Sequence, residues 1–185
     1  MNNGYMERML SAVGGNRPGV VAEITEAIYN AGCNIENSNM TLLGNHFALM
    51  IHLKINNEPI LTDLTDKCDK LQQNKDLNIY LFPLESEELA TSPEDIIKTK
   101  YEISVGGIDR EGIVFRTSKL LASLNVNILE LSTNVDRSKY YKDPYFNMRM
   151  IVEVPKEVEG EKLRNDLSKL AHDLQETISL TRCTY

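Results

Sequence analysis

The chain has no tryptophan, only three cysteines and only three histidines among its 185 residues. Cys33, Cys68 and Cys183 are odd in number and far apart, with no CxxC pair, which excludes a disulfide framework and a thiolate metal cluster. His46, His52 and His172 fall on different stretches of chain, and a metal site needs three or four converging ligands, so they read as ordinary surface or edge histidines. Cys33 and Cys68 sit within apolar stripes and read as small buried hydrophobes, while nothing pairs Cys183 with a base. No run of roughly 18 uninterrupted apolar residues is present, which excludes a helical membrane span. The start, Met1-Asn-Asn-Gly-Tyr-Met-Glu-Arg, lacks a charged n-region and apolar h-region, so a cytoplasmic location is expected. Positive charge is also scarce: 20 Lys and Arg against 27 Asp and Glu give a net −7 and no footprint for phosphates. Direct nucleic-acid binding is therefore not expected. GxSxG, HExxH and P-loop motifs are missing, and no carboxylates are spaced for acid–base work, so no catalysis and no cofactor are expected.

What the sequence does have is a repeat. With Leu10–Ser38 laid over Ile103–Leu131, seven of 29 positions are identical: Ser11/Ser104, Gly14/Gly107, Arg17/Arg110, Gly19/Gly112, Val21/Val114, Asn34/Asn127 and Ile35/Ile128. Chance would give roughly two. Each copy opens with an apolar strand (Met9–Gly14, Tyr101–Gly107) and a glycine-bearing turn, Gly14-Gly-Asn-Arg-Pro-Gly19 or Gly107-Ile-Asp-Arg-Glu-Gly112. An apolar stripe at Val20, Val21, Ile24, Ala27, Ile28 and Ala31, matched by Ile113, Val114, Thr117, Leu120, Leu121 and Leu124, predicts a helix with one buried face. Gly32 is placed to end the first of these. Asn34-Ile35 and Asn127-Ile128 open a second strand. The third alternates with period two through Phe47–Ile55 and Phe146–Val154. Further helices are expected at Ile60–Leu71 and Leu163–Leu174, with closing strands near Asn78–Leu84 and Thr177–Cys183.

The order βαββαβ, twice, predicts an α+β protein made of two tandem ferredoxin-like domains, each a four-stranded antiparallel sheet with two helices on one face. The expected division is residues 1–85, an acidic linker at 86–99, and residues 100–185. In the stretch Glu85–Thr99, five carboxylates face the single Lys98, and a short helical turn is expected near Glu94–Lys98. The central hairpins differ. The first turns in five residues, Thr41–Asn45, and the second spends eleven, Asn134–Pro144. A loop holding Arg137, Tyr140 and Tyr141 is either plain surface or a partner contact, since tyrosines among basic residues are common at interfaces.

The turn after each first strand is the candidate site. Asn16 and Asp109 stand where either could cap the following helix. The amides and positive dipole of a helix start also suit a carboxylate, and Gly19 and Gly112 allow close approach to the backbone. Asn34 and Asn127 are the second polar group, or alternatively plain turn residues.

At these residues the sequence resembles the ACT domain family of small amino-acid-sensing modules. Asn16-Arg-Pro-Gly-Val-Val, followed by Ala31-Gly-Cys-Asn-Ile35, is similar to the serine-sensing ACT domains of 3-phosphoglycerate dehydrogenases. That resemblance implies a ligand site at Asn16, Arg17, Gly19 and Asn34, and in the second copy at Asp109, Arg110, Gly112 and Asn127. The family's ligand-holding histidine, two residues before Asn16, is here Gly14. The two-module plan resembles tandem-ACT transcriptional repressors of glycine metabolism. It implies a non-enzymatic regulator that senses an amino acid at domain interfaces and signals to a regulatory protein partner, without itself reading DNA. A homodimer is among the arrangements this allows, and a scaffold that has lost its ligand is the alternative. In a ferredoxin-like unit the first two strands run parallel, so Asn16 and Asn34 belong at opposite ends of one module. Pairing modules about a two-fold axis would set Asn16 opposite Asn127, and Asp109 opposite Asn34.

Overall fold

The computed structural model describes residues 5–73, 76–84, 99–138 and 143–183. The chain forms two compact units, Met1–Ala90 and Thr91–Tyr185. Unit 1 runs β1 (Met6–Gly15), α1 (Val20–Ala31), β2 (Asn34–Leu43), β3 (His46–Ile55), α2 (Glu58–Gln73) and β4 (Leu77–Pro83). Unit 2 repeats the series as β5 (Thr99–Ile108), α3 (Ile113–Ser123), β6 (Asn127–Asp136), β7 (Tyr145–Val154), α4 (Gly160–Leu174) and β8 (Thr177–Arg182). The strand orders are β2-β3-β1-β4 and β6-β7-β5-β8, antiparallel throughout. This is the expected pair of βαββαβ units, with first strands three to four residues longer than the apolar patterns indicate.

Alternation in the strands and the helical stripes converge on one core per unit. Leu10, Ala12, Phe47, Leu49, Ile51, Leu53 and Ile79 meet Ile24, Ile28, Leu64 and Cys68. Ile103, Val105, Met148, Met150, Val152 and Leu180 meet Ile113, Leu121, Leu163 and Leu167. Burying each large side chain stabilises by roughly 1.5–3 kcal/mol. Cys68 is thus the small buried hydrophobe expected of it, and burial pushes its thiol up to about 11.

The faces without helices differ. Unit 1 leaves Val13, Met50, Tyr80 and Phe82 exposed on that face. Unit 2 presents Glu102, Ser104, Asn147, Arg149 and Ser179 there, with Arg149 ion-paired to Glu102 and Glu130. His52 is not an edge histidine. It lies on the interior strand β3 beside Glu7 of β1, and the two side chains meet through His52 Nε2 and the Glu7 carboxylate, each only 15% exposed.

The hairpins are tighter than expected. Gly44 and Asn45 alone join β2 to β3, with Gly44 at φ 58°, because the strands continue pairing to Leu43↔His46. Residues 137–144 join β6 to β7, eight rather than eleven. The expected linker turn near Glu94–Lys98 lies outside the described residues. Among the described residues, no helix is long and apolar enough to cross a membrane.

Candidate functional site

In unit 1 the chain leaves β1 at Gly15, and the Asn16 amide donates to the Asn45 carbonyl of the β2–β3 hairpin at 2.7 Å. In unit 2 the Asp109 amide donates equivalently to the Pro144 carbonyl at 2.8 Å. Both turns are therefore anchored on the neighbouring hairpin. They then enter their helices through glycines in the left-handed region, Gly19 at φ 87° and Gly112 at φ 88°. A Cβ at Gly112 would meet nothing, so conformation rather than space demands glycine there.

Asn16 and Asp109 do not cap the helices. The cap residues are the two glycines, and neither helix start has a side-chain cap. The turn places three residues between each of these side chains and the first helical amide, too far along the chain for the usual capping reach. In α1 the Val20 amide donates to the Arg17 carbonyl at 3.3 Å, and the amides that follow, without a side-chain cap, suit a bound anion.

The two arginines go separate ways. Arg17 makes a bidentate pair with Glu23 in the first turn of α1, at 2.7 Å for both bonds. Arg110 instead donates to the Leu174 carbonyl at 3.2 Å and to Gln175 Oε1 at 2.5 Å, holding the end of α4.

Asn34 and Asn127 lie at the far ends of their units. Asn34 is level with Lys54 and Glu7, whereas Gly15 is level with His46. Eight residues of strand separate these levels, roughly 27 Å at about 3.4 Å per residue. Asn127, level with Glu153 and Lys100, is as far from Ile108. A single unit therefore does not bring its two candidate groups together. Both asparagines precede a β-bulge, at Ile35/Asn37 and Ile128/Glu130. The bulge residue Glu36 accepts from Asn34 Nδ2 at 2.7 Å, whereas its counterpart Leu129 cannot accept. Asn127 lines a hollow of about 470 Å³ with Ala122, Asn125, Val126, Glu153 and Pro155. Arg137 is exposed, and Tyr140 and Tyr141 lie outside the described residues.

Gly14 lies two residues before Asn16, and the structure leaves no room there for a side chain. A Cβ there would overlap the Asp76 carbonyl and press on Leu77. At Gly107 the same space is filled by the carboxylate of Glu176, a residue that motif reading missed. Glu176 is 8% exposed, and neither carboxylate oxygen has a hydrogen-bond partner among the described residues. Burial pushes its carboxyl up, Arg110 pulls it down, and Asp109 pushes it up again. Laying the closing strands over each other would have revealed it, because it occupies the position of apolar Leu77.

Residues 9–80 match the sequence model of the ACT domain. Unit 1 is an ACT domain, and unit 2, with the same strand order and the same turn, is a second copy of that fold. The chain is 20% identical over 177 residues to the glycine cleavage system transcriptional repressor of Escherichia coli, covering 96% of this chain and 90% of that one. A crystal structure of an unknown protein from Galdieria sulphuraria superposes with a TM-score of 0.77 at 26% identity, covering 97% and 99% of the two chains. A candidate glycine cleavage system transcriptional repressor superposes with a TM-score of 0.73 at 20% identity, covering 98% and 99%, a likeness of fold.

Proposed function

We infer that this chain is a non-enzymatic regulator that senses a small ligand, an amino acid, and passes the bound state to a partner protein in the cytoplasm. The observation that carries the reading is the turn of unit 1. A helix start without a side-chain cap is anchored on the hairpin beside Asn16, within an ACT domain. The amides suit the ligand's carboxylate, and the Asn16 amide group suits a second polar atom. Asn34 is too distant within its own unit to join them. The likeness to a transcriptional repressor along 96% of the chain supports a role in transcription, exercised through a protein partner. With a net −7, the chain is a poor reader of DNA by itself.

A thermal-shift screen of the common amino acids on the full chain tests this. A ligand at a hundred times its Kd adds about 2.7 kcal/mol of apparent stability. One or a few amino acids should raise the melting temperature, and Asn16→Ala should weaken that ligand on the order of tenfold. A flat screen would leave an ACT-fold scaffold that binds protein only.

A further inference from the structure

We propose that the β5–α3 turn of unit 2 is a cation site, in which Glu176 and Asp109 accept the ammonium group of a small amine. This deepens the amino-acid reading by naming the ligand chemistry of the second turn, and it stands on residues other than Asn16.

The register sets the position. Gly14 pairs with Leu77 in unit 1; one residue past the Gly106↔Thr177 pair, Glu176 comes opposite Gly107. Leu77 is 5% exposed and belongs to the core of its unit. Unit 2 puts a carboxylate in that place at 8% exposure and seats it against the one residue type that leaves room. A buried carboxylate without a donor is costly, and such a group is tolerated where something else supplies the donor.

The neighbouring groups do not supply it. Arg110 is the cation nearby, but its hydrogen bonds leave from Nη1 to the Leu174 carbonyl and Gln175 at the end of α4, and none reaches the Glu176 carboxylate. Asp109 adds a second negative charge to the same turn. Two carboxylates against one engaged arginine repel an anion and attract a cation. A primary ammonium, with three donors and a compact charge, matches two acceptors. A divalent metal is less suited, because it wants more oxygen ligands than two carboxylates offer, and no cluster of three His, Cys, Asp or Glu forms among the described residues. Both Glu176 oxygens are covered in this structure, so binding swings the side chain outward past Gly107.

The experiment is an NMR titration of the full chain, following backbone amides of both turns with methylammonium chloride, sodium acetate and glycine as probes. Methylammonium should shift residues 107–112 and leave 14–19 in place, and acetate should not move 107–112. Glu176→Gln should weaken methylammonium binding on the order of tenfold or more, with the other resonances unchanged. Should Glu176→Gln perturb the fold, Asp109→Asn, at a half-exposed position, should weaken the same probe by a smaller factor. Methylammonium acting on both turns alike, on neither, or unaffected by both variants overturns the proposal. Glycine failing at residues 14–19 counts against the amino-acid reading of unit 1 and leaves the methylammonium result standing.

Discussion

Unit 1 and unit 2 build the same turn with the same backbone and different electrostatics. Gly19 and Gly112 share a φ within a degree, and both turns hang from the adjacent hairpin through one short amide bond. Around that common frame, Asn16 faces Asp109 in the alignment, Leu77 faces Glu176, and an arginine paired to its own helix faces one tied to the end of another. A duplicated turn can thus keep its shape while its ligand chemistry diverges. Shape is set by glycine conformation and main-chain bonds, whereas charge is set by side chains that the frame does not constrain.

The strongest way to break this comparison is to exchange the two buried positions. Leu77→Glu puts a carboxylate into a core where the equivalent arginine, Arg17, is already paired with Glu23, and should destabilise by about 3 kcal/mol or more in urea denaturation. Glu176→Leu should do the reverse, stabilising by about 1 kcal/mol at neutral pH. A second contrast lies at the glycines. Gly14→Ala drives a methyl into the backbone carbonyl of Asp76 and should cost about 2–3 kcal/mol, whereas Gly107→Ala meets a flexible carboxylate that can leave and should cost about 1 kcal/mol.

The pH profile separates the units more finely. Burial raises the Glu176 carboxyl, so the folded chain holds that proton to higher pH than the unfolded chain does. The resulting stabilisation is full below the ordinary glutamate range and is lost as pH rises through the raised value. Glu176→Gln should therefore melt higher than the native chain at neutral and alkaline pH, with the gain shrinking as the solution is acidified. Melting curves in which the gain grows on acidification would contradict this. The smallest effects sharpen the arginine contrast: Arg110→Ala removes two bonds at the end of α4 and should cost about 1 kcal/mol. Arg17→Ala removes only an exposed pair with Glu23, and should leave the denaturation midpoint in place.

Sequence alone determined the architecture, because it is written in local periodicities. The stripe from Val20 to Ala31 is α1 residue for residue, and the alternation through Phe47–Ile55 is β3 but for its first residue. The repeat offset carried the turn, the glycines and the asparagines from one unit to the other without any knowledge of contacts. Sequence spacing also anticipated that Asn16 and Asn34 fall at opposite ends, since strand direction follows from the connection order. Tertiary structure decided what those residues touch. It alone showed that Gly19 and Gly112, not Asn16 and Asp109, stand at the helix caps, that Arg17 and Arg110 take different partners, and that His52 meets Glu7 across strands 45 residues apart. It alone brought Glu176 against Gly107, about 70 residues away along the chain. A side chain's pairing depends on distances closed by the whole fold, and a pattern of period two or 3.6 carries no information about which distant charge it will meet.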